Sequence, residues 1–430
     1  MKSIDSKRWF AALSATAMAG TLLAFSEVPV LAAPAPAKTI NLTWTVWGST
    51  LDTKTYQQRA DEYTKLHPNI HIKVINLPTY DQQVETMIAG GKPPDIMNAS
   101  QDASGLGVNG ALLNLTPLIQ KSHFNLNRFE PGYLGEYKYR GKIFALPDRG
   151  GYIMMYYNKT MFRNAHVAFP TKAWTWQTFL QAAEKLTIKK GGKVVQWGYA
   201  GTDWWPVYGS FIHQAGGHFL NPKETSAVAN SAAAKTAMTY VINQMYKYHV
   251  TPTPVQYANM GSGVSGDALF AEGKVAMLTT GFWDIGTFAA QKGLQWGIAP
   301  LPQNKQGGME TVGTGVGICA ESPHKQADWQ FLQWLSTAAG QRQIVVNHED
   351  IPATKVAMPL WVKTLPAGVS YSALASATHE VFSPRIPPTW TKMQTAIGNA
   401  LTPVYDGKAT YSSVANNVDQ SINSVLHSAQ

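Results

Sequence analysis

The chain has 430 residues, a single cysteine and a formal net charge of +9. This length suggests two or three domain-sized units, and the lone Cys319 excludes disulfide scaffolds, cysteine-rich zinc modules and iron–sulfur sites. Apolar residues make up 45% of the chain, which excludes global disorder. Charged residues make up only 14%, and the shortage falls mostly on the acids, with 26 against 35 basic side chains.

The basic residues are not clustered. The densest stretches, 189–193 and 138–142, are short and loop-like, so we expect a solvated surface and no nucleic-acid partner. We hypothesise that the shortage of acids suits an acidic medium outside the cell. A chain with few carboxylates has few groups whose protonation at low pH weakens the native state.

The first 37 residues have the pattern of a signal peptide. Basic residues lie among the first eight, an apolar run extends from Trp9 to about Phe25, and small residues follow at 32–37. The apolar run is too short to span a bilayer comfortably, and no cysteine precedes Cys319 to carry a lipid. We therefore expect an exported protein, periplasmic or extracellular, without an N-terminal lipid anchor.

From residue 40 onward, strand and helix patterns alternate. Residues 40–47 and 70–75 alternate apolar and polar side chains as strands do, and a third strand begins at 95–97. Residues 56–66 and 81–89 have apolar side chains at helical spacing. This βαβαβ order favours an α/β fold with a mostly parallel sheet covered by helices.

Ligands of such sheets lie beyond the carboxyl ends of the strands. The loops at 47–49 and 100–102 follow the first and third predicted strands. They are therefore candidate walls of a binding site.

A second unit begins in the middle of the chain. A short strand at 141–147 leaves the first unit at Pro147, and the continuous apolar run at 153–158 predicts a buried strand. Thr175 is a predicted N-cap for a helix that extends to Leu186. Further helices are predicted at 231–248, at 327–338 and from Thr389 onward.

Several segments, in this order and at this spacing, resemble the extracellular solute-binding proteins of ABC sugar importers, the family that includes maltose-binding protein. Each segment alone is a weak signal, but the ordered set extends over about residues 40–430. The segments are His67-Pro68-Asn69-Ile70, 90–96 (GGKPPDI), 110–115 (GALLNL), 141–147 (GKIFALP), 156–159 (YYNK), 270–277 (FAEGKVAM), 281–283 (GFW), 296–302 and 313–320.

The resemblance implies two α/β lobes of the periplasmic-binding-protein type, joined by a hinge and closing on a sugar in the cleft between them. Lobe 1 would hold 39–145 and 297–345, and lobe 2 would hold 146–296 and 346–430. Such proteins have no catalytic apparatus and no cofactor. We expect a monomer that delivers a mono- or oligosaccharide to the transmembrane permease subunits of an ABC importer.

The chemistry of a sugar indicates which residues would bind it. Aromatic rings cover the apolar faces of a pyranose, while carboxylates and amides bond its rim of hydroxyls. By resemblance, Asp102, Asp148, Trp283 and Trp390 match positions where maltose-binding relatives contact sugar. Where relatives often carry an arginine beside the first-lobe aspartate, this chain has Ala103, which leaves the identity of the sugar open. The candidate ligand-binding residues are Trp47, Gln101, Asp102, Asp148, Arg149, Trp204, Trp205, Trp283, Asp284, Gly313 and Trp390.

Some of these residues have a second interpretation. Trp204 and Trp205 are adjacent, so in extended backbone only one would face the ligand. Gly313 either lets the backbone approach the sugar or permits tight packing of strands. Trp44, inside the first predicted strand, is assigned to the core.

The alternative function is an exported glycoside hydrolase, which would use a carboxylate pair such as Asp148 with Asp284 or Asp203. Nothing in the sequence marks such a pair, and the ordered segments favour binding. The glycines of 261–266 fit a dinucleotide-binding pattern, but no strand is predicted before them. The 11 histidines are scattered, without the spacing of a metal site.

Overall fold

The structure is a computed structural model that describes residues 38–130, 132–348 and 350–428. The predicted signal peptide at 1–37 lies outside the described residues. No helix in the described ranges is both long and apolar enough to cross a membrane.

The described chain alternates strands and helices along its whole length. The strands are β1 (Ile40–Val46), β2 (Ile70–Asn76), β3 (Ile96–Ala99), β4 (Lys138–Tyr139), β5 (Lys142–Ile143), β6 (Leu146–Tyr152), β7 (Met154–Asn158), β8 (Ile188–Lys190), β9 (Lys193–Ala200), β10 (Val275–Thr280), β11 (Trp296–Ala299), β12 (Met309–Ile318), β13 (Ile351–Pro352) and β14 (Val381–Phe382). The α-helices are α1 (Thr50–Leu66), α2 (Tyr80–Ala89), α3 (Ala103–Val108), α4 (Thr116–Lys121), α5 (Lys159–Asn164), α6 (Trp176–Leu186), α7 (Trp205–Gln214), α8 (Ala232–Tyr246), α9 (Pro254–Met260), α10 (Gly266–Ala271), α11 (Asp284–Ala289), α12 (Lys325–Leu335), α13 (Ala338–Asn347), α14 (Met358–Thr364), α15 (Ser372–Ala375), α16 (Trp390–Tyr405) and α17 (Tyr411–His427).

The larger sheet has the strand order β13-β6-β12-β3-β1-β2, with β14 attached to β12. Strands β1, β2 and β3 are parallel, as the sequence predicts. Strand β12 lies antiparallel between β3 and β6, so the sheet is mixed. Helices α1, α12 and α13 pack on this sheet and on one another.

The smaller sheet has the order β11-β7-β10-β9-β8. Strands β7 and β10 are wholly buried, in agreement with the continuous apolar run predicted at 153–158. Each of the two sheets forms one lobe with the helices that cover it. The fold is therefore the expected two-lobed α/β fold.

The chain changes sheets close to the predicted hinge. It leaves the larger sheet at the end of β6, Tyr152, and enters the smaller sheet at Met154. It leaves the smaller sheet after Ala299 and returns to the larger sheet with β12. The first change of sheet therefore falls after residue 152, whereas the predicted lobe boundary lies between residues 145 and 146.

Two helix starts illustrate how local sequence sets the boundaries. The Thr175 hydroxyl accepts a hydrogen bond from the Thr178 amide, and the Thr178 side chain bonds back to the backbone of Thr175. Ser231 caps α8 through the amide of Ala234. The predicted helix at 327–338 is instead two helices, α12 and α13, separated at Ser336–Thr337, where Thr337 caps the second.

A buried ion pair joins helix α1 to the last strand before the change of sheets. Arg59 donates from Nη1 and Nη2 to the two carboxylate oxygens of Asp148, at 2.8 and 2.5 Å. Its Nε donates to the carbonyl of Gly340, at the start of α13. Both side chains of the pair are essentially inaccessible to solvent. This one guanidinium therefore holds α1, β6 and α13 together.

We predict that Arg59→Met lowers the free energy of unfolding by about 3–5 kcal/mol, because it leaves the Asp148 carboxylate buried without its cation. The matched control is Arg342→Met, which removes an exposed pair with Glu62 and should change stability by less than about 1 kcal/mol. Denaturant unfolding of the two variants measures the difference. Equal losses of unfolding free energy in the two variants would show that the buried pair stabilises the fold no more than the exposed one.

Several buried carboxyl groups have pKa values well above those of exposed carboxyls. Burial raises the pKa of Glu136, Asp328 and Asp350 to about 7. Hydrogen bonds oppose the shift without cancelling it: the amide of Gly313 donates to Glu136 and the Ser322 hydroxyl donates to Asp328. The folded chain therefore holds protons that the unfolded chain releases between about pH 4.5 and 7.

Because these pKa values are raised on folding, stability should fall as the pH rises through this window. We predict that the free energy of unfolding drops by at least about 2 kcal/mol between pH 5 and pH 7.5. Glu136→Gln should flatten this dependence, whereas Glu85→Gln, at an exposed position, should leave it unchanged. Denaturant unfolding across the pH range measures the slope, and stability that rises toward pH 7.5 would contradict the assignment.

Candidate functional site

Four of the predicted site residues form one cluster of indole rings. The centroid of Trp204 lies 5.5 Å from that of Trp283 and 6.3 Å from that of Trp205. Trp205 in turn lies 5.2 Å from Trp390, and all three contacts are edge-to-face. The rings come from the start of α7, the turn before α11 and the start of α16. The fold therefore brings together three stretches of chain that are far apart in sequence.

The four rings differ in exposure. Trp283 is 39% exposed, an unusual value for so large an apolar side chain, whereas Trp390 is only 5% exposed. Trp204 and Trp205 are half-buried. The cluster therefore runs from an accessible ring at one end to a buried one at the other.

The buried end of the cluster is fixed by an amide. The Nε1 atoms of Trp205 and Trp390 both donate to the side-chain oxygen of Gln394, at 2.8 and 3.0 Å. Gln394 lies one helical turn after Trp390 on α16. Sequence reasoning missed this residue, although its spacing of four from Trp390 is the signal that could have found it.

The predicted loop at 100–102 lies beside β12. The Ser100 hydroxyl is 2.8 Å from the carbonyl oxygen of Gly313 and 2.8 Å from Oε1 of Gln101. Nε2 of Gln101 is buried and has no hydrogen-bond partner among the described residues. The loop thus contains a buried amide donor without an acceptor among the described residues.

Asp102 closes this loop. Its carboxylate accepts a hydrogen bond from the Ser100 amide at 2.7 Å. Burial raises the pKa of Asp102 to about 6, and the charge of Asp81 adds to the rise. Asp102 therefore supplies an ionised acceptor at neutral pH.

A large groove connects this loop with the segment that precedes Trp390. Its volume is about 840 Å³, and its walls include Asp102 and α3 on one side and residues 387–389 on the other. The two sides touch at Gly105, where a Cβ would lie 2.5 Å from the carbonyl oxygen of Pro388. Glycine at this position permits the close approach of the two segments.

Trp47 lies on the same side as Asp102 but packs inward. Its ring meets Tyr80 edge-to-face at 4.7 Å, and the Tyr80 hydroxyl donates to the carbonyl of Asn98 at 2.8 Å. The side chain is half-buried among the residues of a small apolar cluster. Trp47 supports the strand end that carries the 100–102 loop.

Asp148 and Arg149 are not among the groups that the site exposes. Asp148 is 2% exposed and binds Arg59 with both oxygens. Arg149 is also buried, contacts Asp52 at 2.5 Å and lies over the ring of Tyr56. Both residues lie in β6, shortly before the chain changes sheets, and their side chains are engaged in structural contacts.

Asp284 and Gly313 also face protein. Asp284 is buried and accepts a hydrogen bond from Thr280 at 2.8 Å, while burial and Asp267 raise its pKa to about 7. Gly313 pairs with Gly150 across the sheet, and a Cβ on Gly313 would lie 2.7 Å from the hydroxyl oxygen of Tyr137. The structure therefore supports the packing interpretation of this glycine.

No group of three or more potential metal ligands occurs in the part of the chain that the structure describes. The carboxylate pairs suggested for the hydrolase alternative both include Asp148. That carboxylate is occupied by the Arg59 guanidinium, so it is not positioned for acid–base chemistry on a ligand.

Known proteins share this sequence pattern and fold. Residues 47–342 match the family described as bacterial extracellular solute-binding protein. The multiple sugar-binding protein of Streptococcus mutans is 24% identical over 71% of this chain and 72% of its own length. The maltotriose-binding protein of Pyrococcus abyssi is 25% identical over 66% of this chain and 59% of its own length.

Among solved structures, the ABC substrate-binding protein Lmo0181 from Listeria monocytogenes, in complex with cycloalternan, is similar with a TM-score of 0.82. The two chains are 24% identical, and the match covers 91% of this chain and 100% of that one. The fold is therefore that of the two-lobed binding proteins. Because the family match extends over more than half of the sequence, the chain belongs to the bacterial extracellular solute-binding proteins.

Proposed function

We propose that this protein binds a mono- or oligosaccharide in the cleft between its lobes and delivers it to the permease of an ABC importer. The observation that carries the proposal is the indole cluster, in which Trp283 remains 39% exposed while its neighbours are packed. An accessible, rigidly supported aromatic face is what the apolar face of a pyranose needs. The names of the relatives, which bind sugars, agree with this ligand class.

The groups proposed to contact the sugar fall into two sets. Trp283 and Trp204 supply aromatic surface, and Trp205 and Trp390 support them from behind. Gln101 supplies its unpartnered Nε2 donor, and Asp102 supplies an ionised acceptor for sugar hydroxyls.

The remaining predicted residues receive supporting roles in this proposal. Asp148 and Arg149 fix strand β6 next to the change of sheets, and Trp47 supports the loop at 100–102. Gly313 accepts the Ser100 hydrogen bond through its carbonyl. Asp284 holds the turn that carries Trp283, through its bond with Thr280.

The mechanism of ligand capture follows from a ligand that contacts both lobes. A sugar that touches both lobes only when they are closed shifts the population toward the closed state. We propose that the lobes divide as predicted, into 39–145 with 297–345 and 146–296 with 346–430, except that β6 and β13 belong with the larger sheet. Hinge segments between the lobes would absorb the change in backbone angles. In this proposal the protein acts as an exported monomer without catalysis, and its permease partner recognises the closed state.

Titration with a saccharide panel tests the function. We expect a change in tryptophan fluorescence on binding and quantitative recovery of the unchanged saccharide. Release of smaller sugars would favour the glycoside hydrolase instead. Absence of any binding, by fluorescence and by thermal shift, would contradict the proposed ligand class.

Trp283→Ala should weaken binding of the saccharide by about 1–3 kcal/mol, because it removes a desolvated aromatic contact. The control is Trp174→Ala, which removes a half-buried indole that stacks on Phe162 away from the cluster. Calorimetric titration of both variants gives the affinities. If the Trp174 variant loses as much affinity as the Trp283 variant, the contact assigned to Trp283 is wrong.

A further inference from the structure

A small cavity behind Trp205 and Trp390 contains a carboxyl group that the proposed sugar contacts do not use. The cavity measures about 40 Å³, which is room for about three water molecules. Trp205, Tyr208 and Trp390 contribute aromatic walls, and Glu310 enters from β12. The space is too small for a sugar ring, but it admits a substituent of one.

One carboxyl oxygen of Glu310 packs against helix α7, and the other lacks a hydrogen-bond partner among the described residues. It is 2% exposed, and its Oε2 lies over Gly209 of α7, where a Cβ would be only 2.2 Å away. Its Oε1 has no hydrogen-bond partner among the described residues. A buried acceptor without a donor is destabilising, so this oxygen can receive a hydrogen bond from a donor in the cavity.

The charges around Glu310 leave its carboxyl group without a cation. Burial and the nearby carboxyl of Glu136 raise its pKa well above the ordinary value. Arg385 also lines the cavity, but its guanidinium donates to the carbonyl of Leu220 and interacts with the charge of Glu224.

Two histidines near this cavity do not supply the missing cation either. Burial and the charge of Arg385 lower the pKa of His218, which lines the cavity. Burial lowers the pKa of His213 to about 4, and this ring stacks on Phe382 at 3.8 Å. Both imidazoles are therefore neutral at neutral pH.

We propose that the ligand is an amino sugar whose protonated amine enters this cavity, with Glu310 as its counter-ion and the rings of Trp205, Tyr208 and Trp390 around it. The inference rests on the proposed saccharide function and narrows its ligand class. An ammonium group gains both a charge-assisted hydrogen bond and attraction to aromatic faces. A hydroxyl group gains neither a charge pair nor the cation–aromatic contact.

The binding step has a defined proton balance. The raised pKa of Glu310 favours its protonated form in the free protein, and the incoming amine carries its own proton. Formation of the carboxylate–ammonium pair therefore releases the Glu310 proton to the buffer, up to one per ligand bound. A neutral saccharide that leaves the cavity empty releases none from this group.

Calorimetry with matched ligands tests the inference. The probes are glucosamine, glucose, N-acetylglucosamine and glucuronate, together with oligosaccharides of the same β-linked backbone that carry free amines, N-acetyl groups or hydroxyls. We expect the free amine to bind about tenfold or more tightly than its hydroxyl counterpart. Titrations in two buffers of different ionisation enthalpy should show proton release for the amine only.

Two variants distinguish the role of the Glu310 carboxylate from that of a neighbouring buried carboxyl group. Glu310→Gln keeps the shape of the side chain and should bring the amine and hydroxyl ligands within about threefold of each other, with neutral saccharide binding retained. Glu136→Gln removes a neighbouring buried carboxyl that does not line the cavity, and it should keep the preference for the amine. Should Glu310→Gln fail to fold, the two-buffer proton count on the unaltered protein decides the question.

The outcomes distinguish this inference from the function on which it rests. Neutral saccharides that bind as well as their amine counterparts overturn the amino-sugar inference alone. Tighter binding of glucuronate than of glucosamine also overturns it and assigns the cavity to Arg385. Binding of no saccharide in the panel overturns both proposals.

Discussion

The ion pair between Arg59 and Asp148 is the contact on which the arrangement of the site depends. It joins helix α1 to strand β6, immediately before the chain passes from the larger sheet to the smaller one. The same guanidinium reaches the carbonyl of Gly340, so the return of the chain through α13 is fixed as well. Removing one partner would leave a buried charge unpaired. The pair therefore fixes the end of the larger sheet from which the chain enters the smaller sheet.

Two rings of the indole cluster support the other two, which lie nearer the surface. Gln394 accepts from both Trp205 and Trp390, which locks these rings in place. Trp204 and Trp283 extend the cluster to the surface, and a rigid aromatic face loses little conformational freedom when a ligand binds.

The raised pKa values of Glu136, Asp328 and Asp350 agree with the hypothesis of an acidic medium, because they make the folded state more stable as the pH falls toward 5.

Local patterns predicted much of the fold, and long-range packing accounts for the rest. Alternation of side chains located β1 and β2, the cap at Thr175 located one helix start, and apolar spacing located the helix that begins near Ser231. These signals act within a few residues. Resemblance to the family drew attention to Trp283 and Trp390. The engagement of Asp148 depends on Arg59, 89 residues earlier, and no spacing rule predicts such a contact. The unsatisfied state of Glu310 is likewise set by tertiary packing around Gly209.

A crystal structure of the protein with the saccharide that binds most tightly in solution tests the central claim most directly. The account predicts one sugar ring against the exposed face of Trp283, with hydroxyls bonded to Gln101 and Asp102 and with both lobes in contact with the ligand. A saccharide bound elsewhere, with the indole cluster and the loop at 100–102 facing solvent, would contradict it.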